Sequence, residues 1–186
     1  MKILLINNHT EHLEALFTSL KGHEIEMQNY RPGIEINDAG KDLVILSGGG
    51  GEGLEITDKV TRGKLWYQDE IDFVRNSETP ILGICMGFEV IVKAFGGKVH
   101  YRPDLTYGFK TTHLTDIGQK SLKEKVISQV EAHYWYVPEV PEKELEVLAV
   151  SESGIEIVRH KRKKIFGTQF HPEEGGTLQL HQLPAV

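Results

Sequence analysis

The chain has 186 residues, with 21 Lys and Arg against 27 Asp and Glu, and its formal net charge of −6 argues against general affinity for nucleic acid or anionic membranes. That length fits one domain, which can bury a core large enough to fold without disulfide or metal. Its single cysteine can form neither an internal disulfide nor a cysteine-based zinc site, so nothing points to an oxidising compartment.

Residues 1–7 are too few for a signal peptide's apolar region plus cleavage site, and Lys2–Asn7 reads as a strand covered on both faces. Between residues 10 and 21, Leu13, Leu16, Phe17 and Leu20 recur at helical spacing. Residues 23–28 alternate as a strand near a sheet edge does, and 42–47 form another buried strand that runs into the glycine loop 48–53. Residues 66–76 predict a helix, 80–84 a buried strand, and 87–95 a helix with Val90, Ile91, Ala94 and Phe95 on one face, ended by Gly96-Gly97. Beyond that point shorter, mostly β segments follow at 98–101, 107–114, 126–137, 145–151, 155–160 and 165–170. Alternating strands and helices predict an α/β fold, an open doubly wound, mostly parallel sheet, here in a single domain over residues 1–186. No apolar run approaches the roughly 20 residues of a membrane helix, and the expected location is cytoplasmic.

Ligands of such sheets bind at the carboxyl ends of the strands, where 47–53 and 85–89 both fall. Gly83-Ile84-Cys85-Met86-Gly87 has the form G-x-C-x-G between a strand and a helix, the pattern of a nucleophile elbow. Small flanking residues allow the sharp turn, the helix N-terminus favours a thiolate, and the Met86 amide is placed as an oxyanion donor. A buried structural thiol is the alternative for Cys85. Far along the chain stands His171-Pro172-Glu173. Pro172 holds His171 extended, and residues two apart in extended backbone project together, so Glu173 can orient the imidazole. A polar turn at a strand end is the alternative there, but a lone cysteine with a positioned His-Glu pair is the pattern of a nucleophilic enzyme.

Leu46-Ser47-Gly48-Gly49, residues 80–87 and Gly167-Thr168-Gln169-Phe170-His171-Pro172-Glu173 resemble, in order and spacing, the three signatures of class I glutamine amidotransferases, and the similarity reaches from Met1 to about Glu174. In general look it is nearest the stand-alone glutaminase subunits of GMP synthases. The resemblance implies a flavodoxin-like fold and hydrolysis of the glutamine side-chain amide. Cys85 would attack to give a γ-glutamyl thioester, His171 would protonate departing ammonia, and Gly49 would supply the second oxyanion amide. Ammonia would pass to a synthetase partner. No cofactor or metal is implied.

Three departures bear on the substrate. Phe88-Glu89 stands where the family has His-Gln, and Gly-Phe-Glu resembles γ-glutamyl hydrolases instead; Gly50 replaces a proline; and Ala132-His133-Tyr134 replaces Ser-His-Gly. Glu89, His133, Tyr134 and Trp135 are therefore the candidate substrate contacts. A stand-alone γ-glutamyl peptide hydrolase and a non-catalytic amidotransferase-like binding module are the two other readings. The loop 48–53 lacks the Lys-Ser/Thr of a phosphate-binding loop, and Glu52 and Glu55 would repel phosphate. The basic run 159–164 reads as a solvated hairpin turn, with docking to an acidic partner as the alternative. His9 and His12 read as loop histidines, and Trp66, Tyr67 and Tyr136 as packing residues.

Overall fold

The computed structural model describes residues 1–49, 56–57, 60–61 and 63–184. In chain order these form β1 (Lys2–Asn7), α1 (Leu13–Ser19), β2 (Glu24–Asn29), β3 (Leu43–Leu46), the small hairpin β4 (Val60–Thr61) and β5 (Lys64–Leu65), α2 (Gln68–Asn76), β6 (Ile81–Ile84) and α3 (Met86–Ala94). There follow β7 (His100–Leu114), α4 (Asp116–Leu122), β8 (Val126–Tyr136), β9 (Leu145–Ser151), β10 (Gly154–His160) and β11 (Ile165–Thr168), then two 3-10 turns, Pro172–Glu174 and Leu180–Gln182.

Nine strands make one sheet in the order β2-β1-β3-β6-β11-β10-β9-β7-β8. The first five run parallel, and the remaining four extend the sheet antiparallel. Alternate residues of the central strands feed opposite layers, as a period of two requires. Ile3, Leu5, Leu43 and Ile45 pack with Leu16 of α1 and with Leu20. Leu4, Ile6, Val44 and Leu46 pack with Ile71 and Val74 of α2 and with Val90 and Ile91 of α3. Helices therefore cover both faces, which is the expected doubly wound α/β arrangement.

Two elements differ from their sequence reading. The first helix begins at Leu13, because His9 takes a left-handed φ of 60° and the chain turns before winding. The segments read as 98–101 and 107–114 are one strand, β7, whose pairing to β8 jumps from Tyr101↔Trp135 to Thr106↔His133. Pro103, which has no N–H to give a ladder, lies in that irregularity, and the continuous partner β8 carries the strand across it.

The sheet also curls. β8 is its last strand, yet the segment after β11 bonds to it: His171 N–H donates to the Val130 carbonyl at 2.8 Å, and Thr177 N–H to that of Ser128 at 3.0 Å. The Gln129 side chain completes the seam with the backbone of Leu178 in both directions, 2.9 Å each. This brings Glu131 and His133 of β8 round to the carboxyl ends of the parallel strands. The basic run is a paired hairpin turn, with Arg159 on Glu146, Arg162 on Glu144 and Lys163 on Glu78. Among the described residues no helix is long and apolar enough to cross a membrane.

Candidate active site

Because β3, β6 and β11 are parallel neighbours, their ends deliver Ser47–Gly49, Cys85 and residues 169–171 to one edge of the sheet. Cys85 sits between β6 and α3 with φ 50° and ψ −105°, a conformation costly for a residue with a Cβ. Two glycines make the turn possible. A Cβ on Gly87 would lie 2.2 Å from the Leu46 carbonyl oxygen, and one on Gly83 would lie 2.5 Å from the Gly87 backbone. Ser47 ties β3 to the elbow: its carbonyl accepts from Gly87 N–H at 3.2 Å. Its hydroxyl accepts from Asn8 N–H and donates to the Gly48 carbonyl, both at 2.8 Å. Gly48 is wedged between the side chains of His171 and Cys85, since a Cβ there would lie 3.1 Å from His171 Cε1 and 3.6 Å from Cys85 Cβ.

His171 Nδ1 and Glu173 Oε1 are 2.9 Å apart, both residues buried. Nδ1 must donate to the carboxylate, so the neutral ring keeps its acceptor at Nε2. That Nε2 is buried without a hydrogen-bond partner among the described residues. The pairing is real, but its origin differs from the sequence reading: residues 172–174 are a 3-10 turn with Pro172 at its start, not extended strand. Pro172 acts by opening that turn, which folds Glu173 back under the ring.

A cleft of about 320 Å³ opens at this edge, lined by Cys85, His171, Gly49, Met86, Glu89, His133, Tyr134 and Trp135, with His12, Glu11, Ile56, Leu105, Tyr107 and Ala132. Every sequence-predicted site residue thus reaches the cleft except Glu173, which stands behind His171. No lysine or arginine lines it among the described residues. His133 turns both ring nitrogens away from the opening, Nδ1 to the Trp135 carbonyl at 2.6 Å and Nε2 to Glu131 at 3.2 Å. The loop positions Gly50, Gly51, Glu52, Gly53 and Glu55 lie outside the described residues.

The electrostatics correct one expectation. Burial pushes the Cys85 thiol well up, and the carboxylates of Glu89 and Glu173 raise it further; the Met86 amide and the Gln169 side chain lower it only in part. The helix end therefore does not give a standing thiolate. Burial likewise raises Glu89 to about 7, against the hydrogen bond it accepts from Gln169 Nε2 at 3.0 Å. Burial alone would lower His133, but its bond to Glu131 and the charge of Glu156 carry it above its ordinary value.

Sequence reasoning missed four participants. Gln169 links Glu89 to the sulfur, its Nε2 lying 3.9 Å from Cys85 Sγ. His12 packs at a tilt of 40° against His171, with ring centroids 4.1 Å apart, and its Nδ1 lies 2.8 Å from Glu174 Oε1, so it is a neighbour of the site and not a free loop histidine. Asn8 joins Ser47 to the buried Glu70, whose Oε1 accepts from Asn8 Nδ2 at 3.0 Å. Gln169 alone carried a signal, since it stands inside the His171 motif.

The family model described as Glutamine amidotransferase class-I matches residues 4–185. The chain belongs to the class I glutamine amidotransferases. Among members of this family, a glutamine-hydrolyzing GMP synthase subunit of Methanococcus vannielii is 32% identical over 183 residues, covering 94% of this chain and 89% of that protein. The protein of the same description from Methanothermobacter thermautotrophicus is 30% identical, covering 97% and 93%. Two solved structures share the amidotransferase fold. A GMP synthase subunit-type protein of Thermoplasma acidophilum superposes with a TM-score of 0.76 at 24% identity, over 95% of this chain and 87% of that one. A glutamine amidotransferase of Thermotoga maritima gives 0.71 at 19%, over 93% and 76%.

Proposed function

We propose that this amidotransferase hydrolyses the side-chain amide of glutamine at Cys85, through a Cys85-His171-Glu173 triad, and passes the ammonia to a synthetase subunit in the cytoplasm. The observation that carries this reading is the His171–Glu173 pair at 2.9 Å, which leaves Nε2 as an unpartnered acceptor in a cleft that Cys85 also lines.

The thiol is held protonated, so ionisation and attack are joined. His171 Nε2 takes the proton as Sγ bonds to the amide carbon, and Glu173 stabilises the imidazolium. The amides of Gly49 and Met86 hold the oxyanion. His171 then returns the proton to the amide nitrogen, the C–N bond breaks, and ammonia leaves a γ-glutamyl thioester. Water, deprotonated by His171, attacks the thioester, and glutamate departs as the thiol is restored. Glu89, Tyr134 and Trp135 border the substrate, with His133 fixed behind them. The synthetase partner rests on the naming of the relatives as subunits of a glutamine-hydrolysing GMP synthase.

Glu89 favours a second reading, a hydrolase of γ-glutamyl amides that works alone. Purified protein assayed against glutamine and a panel of γ-glutamyl amides separates the two. Ammonia release from glutamine that is abolished in Cys85→Ala and accelerated by a synthetase partner is the expected outcome. Efficient cleavage of γ-glutamyl amides with poor use of glutamine would transfer the assignment to the second reading, and turnover that survives Cys85→Ala would end both.

A further inference from the structure

Behind the cleft wall, Glu131 and His133 of β8 and Glu156 of β10 bring two carboxylate oxygens and one ring nitrogen within 4.8 Å of one another. Glu131 is 0% exposed, Glu156 1% and His133 6%. The hydrogen bonds around the cluster fix its polarity. His133 Nδ1 lies 2.6 Å from the Trp135 carbonyl, which can only accept, so Nδ1 carries a proton. A neutral ring then aims its lone pair from Nε2 at Glu131 Oε2, another acceptor, 3.2 Å away. Two acceptors meet at that distance only through a proton on Nε2, as in the imidazolium form, or through a metal ion between them.

Further observations point to a cation. Glu131 Oε1 and Glu156 Oε2 are buried with no hydrogen-bond partner among the described residues, an expensive state for a carboxylate oxygen. The other oxygen of Glu156 accepts from Ser151 Oγ at 2.7 Å. That bond and the His133 Nδ1–H to Trp135 carbonyl bond are the kind of outer contacts that orient metal ligands. Two carboxylates balance a divalent charge, and an imidazole beside them suits zinc, manganese, iron or cobalt better than calcium or magnesium.

We infer that Glu131, His133 Nε2 and Glu156 form a site for one divalent transition-metal ion in the wall of the cleft. The site is separate from the triad. It bears on the cleft through Glu156, whose carbonyl accepts from Gln169 N–H at 2.8 Å, and Gln169 in turn contacts Glu89 and Cys85. Bound metal holds this wall in place while the triad does the chemistry.

The test is metal uptake by the Cys85→Ala protein, which removes the thiol as a competing ligand. After stripping with chelator and dialysis against Zn(II) or Co(II), elemental analysis is expected to find one equivalent retained, with a raised thermal midpoint that chelator reverses. Glu131→Gln and Glu156→Gln, each added to Cys85→Ala, are expected to lose it with unchanged circular dichroism. Should either glutamine variant fail to fold, Mn(II) added to the wild-type protein decides, since it is expected to broaden the His133 ring resonances first. No uptake by Cys85→Ala, uptake equal in the glutamine variants, or broadening that begins elsewhere would overturn the site. Each readout is independent of amide hydrolysis, so failure here is distinct from failure of the triad.

Discussion

Cys85 is buried between two carboxylates, and its reactivity depends on how those charges are arranged. Glu89 raises the thiol, so Glu89→Gln lowers its pKa and enlarges the thiolate fraction. Alkylation of Cys85 by iodoacetamide at pH 8 is expected to quicken in that variant. Glu173 also raises the thiol, yet it orients His171. Glu173→Gln is therefore expected to ease alkylation while turnover falls by about 10²–10⁴-fold. A merely loosened site would not divide the two effects in this way. The pairing of His171 with Glu173 was legible in the sequence because the two lie in one contiguous motif whose spacing is local. His12 was not: it meets Glu174 across 162 positions, and only the fold brings the two together.

The elbow is a junction of three elements, β3, β6 and α3, and its tolerance is set by backbone contact. Gly87→Ala would place a Cβ 2.2 Å from the Leu46 carbonyl, an overlap that no rotamer change relieves. The cost is expected to be about 2–3 kcal/mol, which lowers the thermal midpoint by roughly 5–10 °C in a domain of this size. Scanning calorimetry checks it; an unchanged midpoint would mean that β3 and α3 are not packed this closely. The buried strands were readable as apolar runs because both faces are covered. The turn of Pro172–Glu174 was not, because proline suits the first position of a 3-10 turn as well as extended backbone. Nor was the continuity of β7, which depends on its partner strand.

At the scale of the whole molecule, packing of α2 against the end of β1 buries a carboxylate. Glu70 is 0% exposed and its pKa rises from 4.5 to about 8, chiefly through burial. The unfolded chain ionises this group near 4.5 while the folded one holds its proton, so stability falls as pH rises through that window and levels off above about 8. One such group contributes a slope of up to about 1.4 kcal/mol per pH unit. Glu70→Gln is expected to remove that share of the slope in urea unfolding followed from pH 5 to 8. Equal slopes in the two proteins would mean that Glu70 is charged in the fold. The doubly wound core was legible from alternation alone. The Asn8–Glu70 link and the meeting of β8 with the segment after β11 were not, because neither has a local pattern.

Mass spectrometry after exposure to a glutamine analogue carrying an electrophilic diazoketone tests the nucleophile most directly. The expected result is a single covalent adduct, mapped to Cys85, that is absent from Cys85→Ala and strongly slowed in His171→Ala. An unmodified protein, or an adduct at any other residue, would contradict a triad built on this thiol.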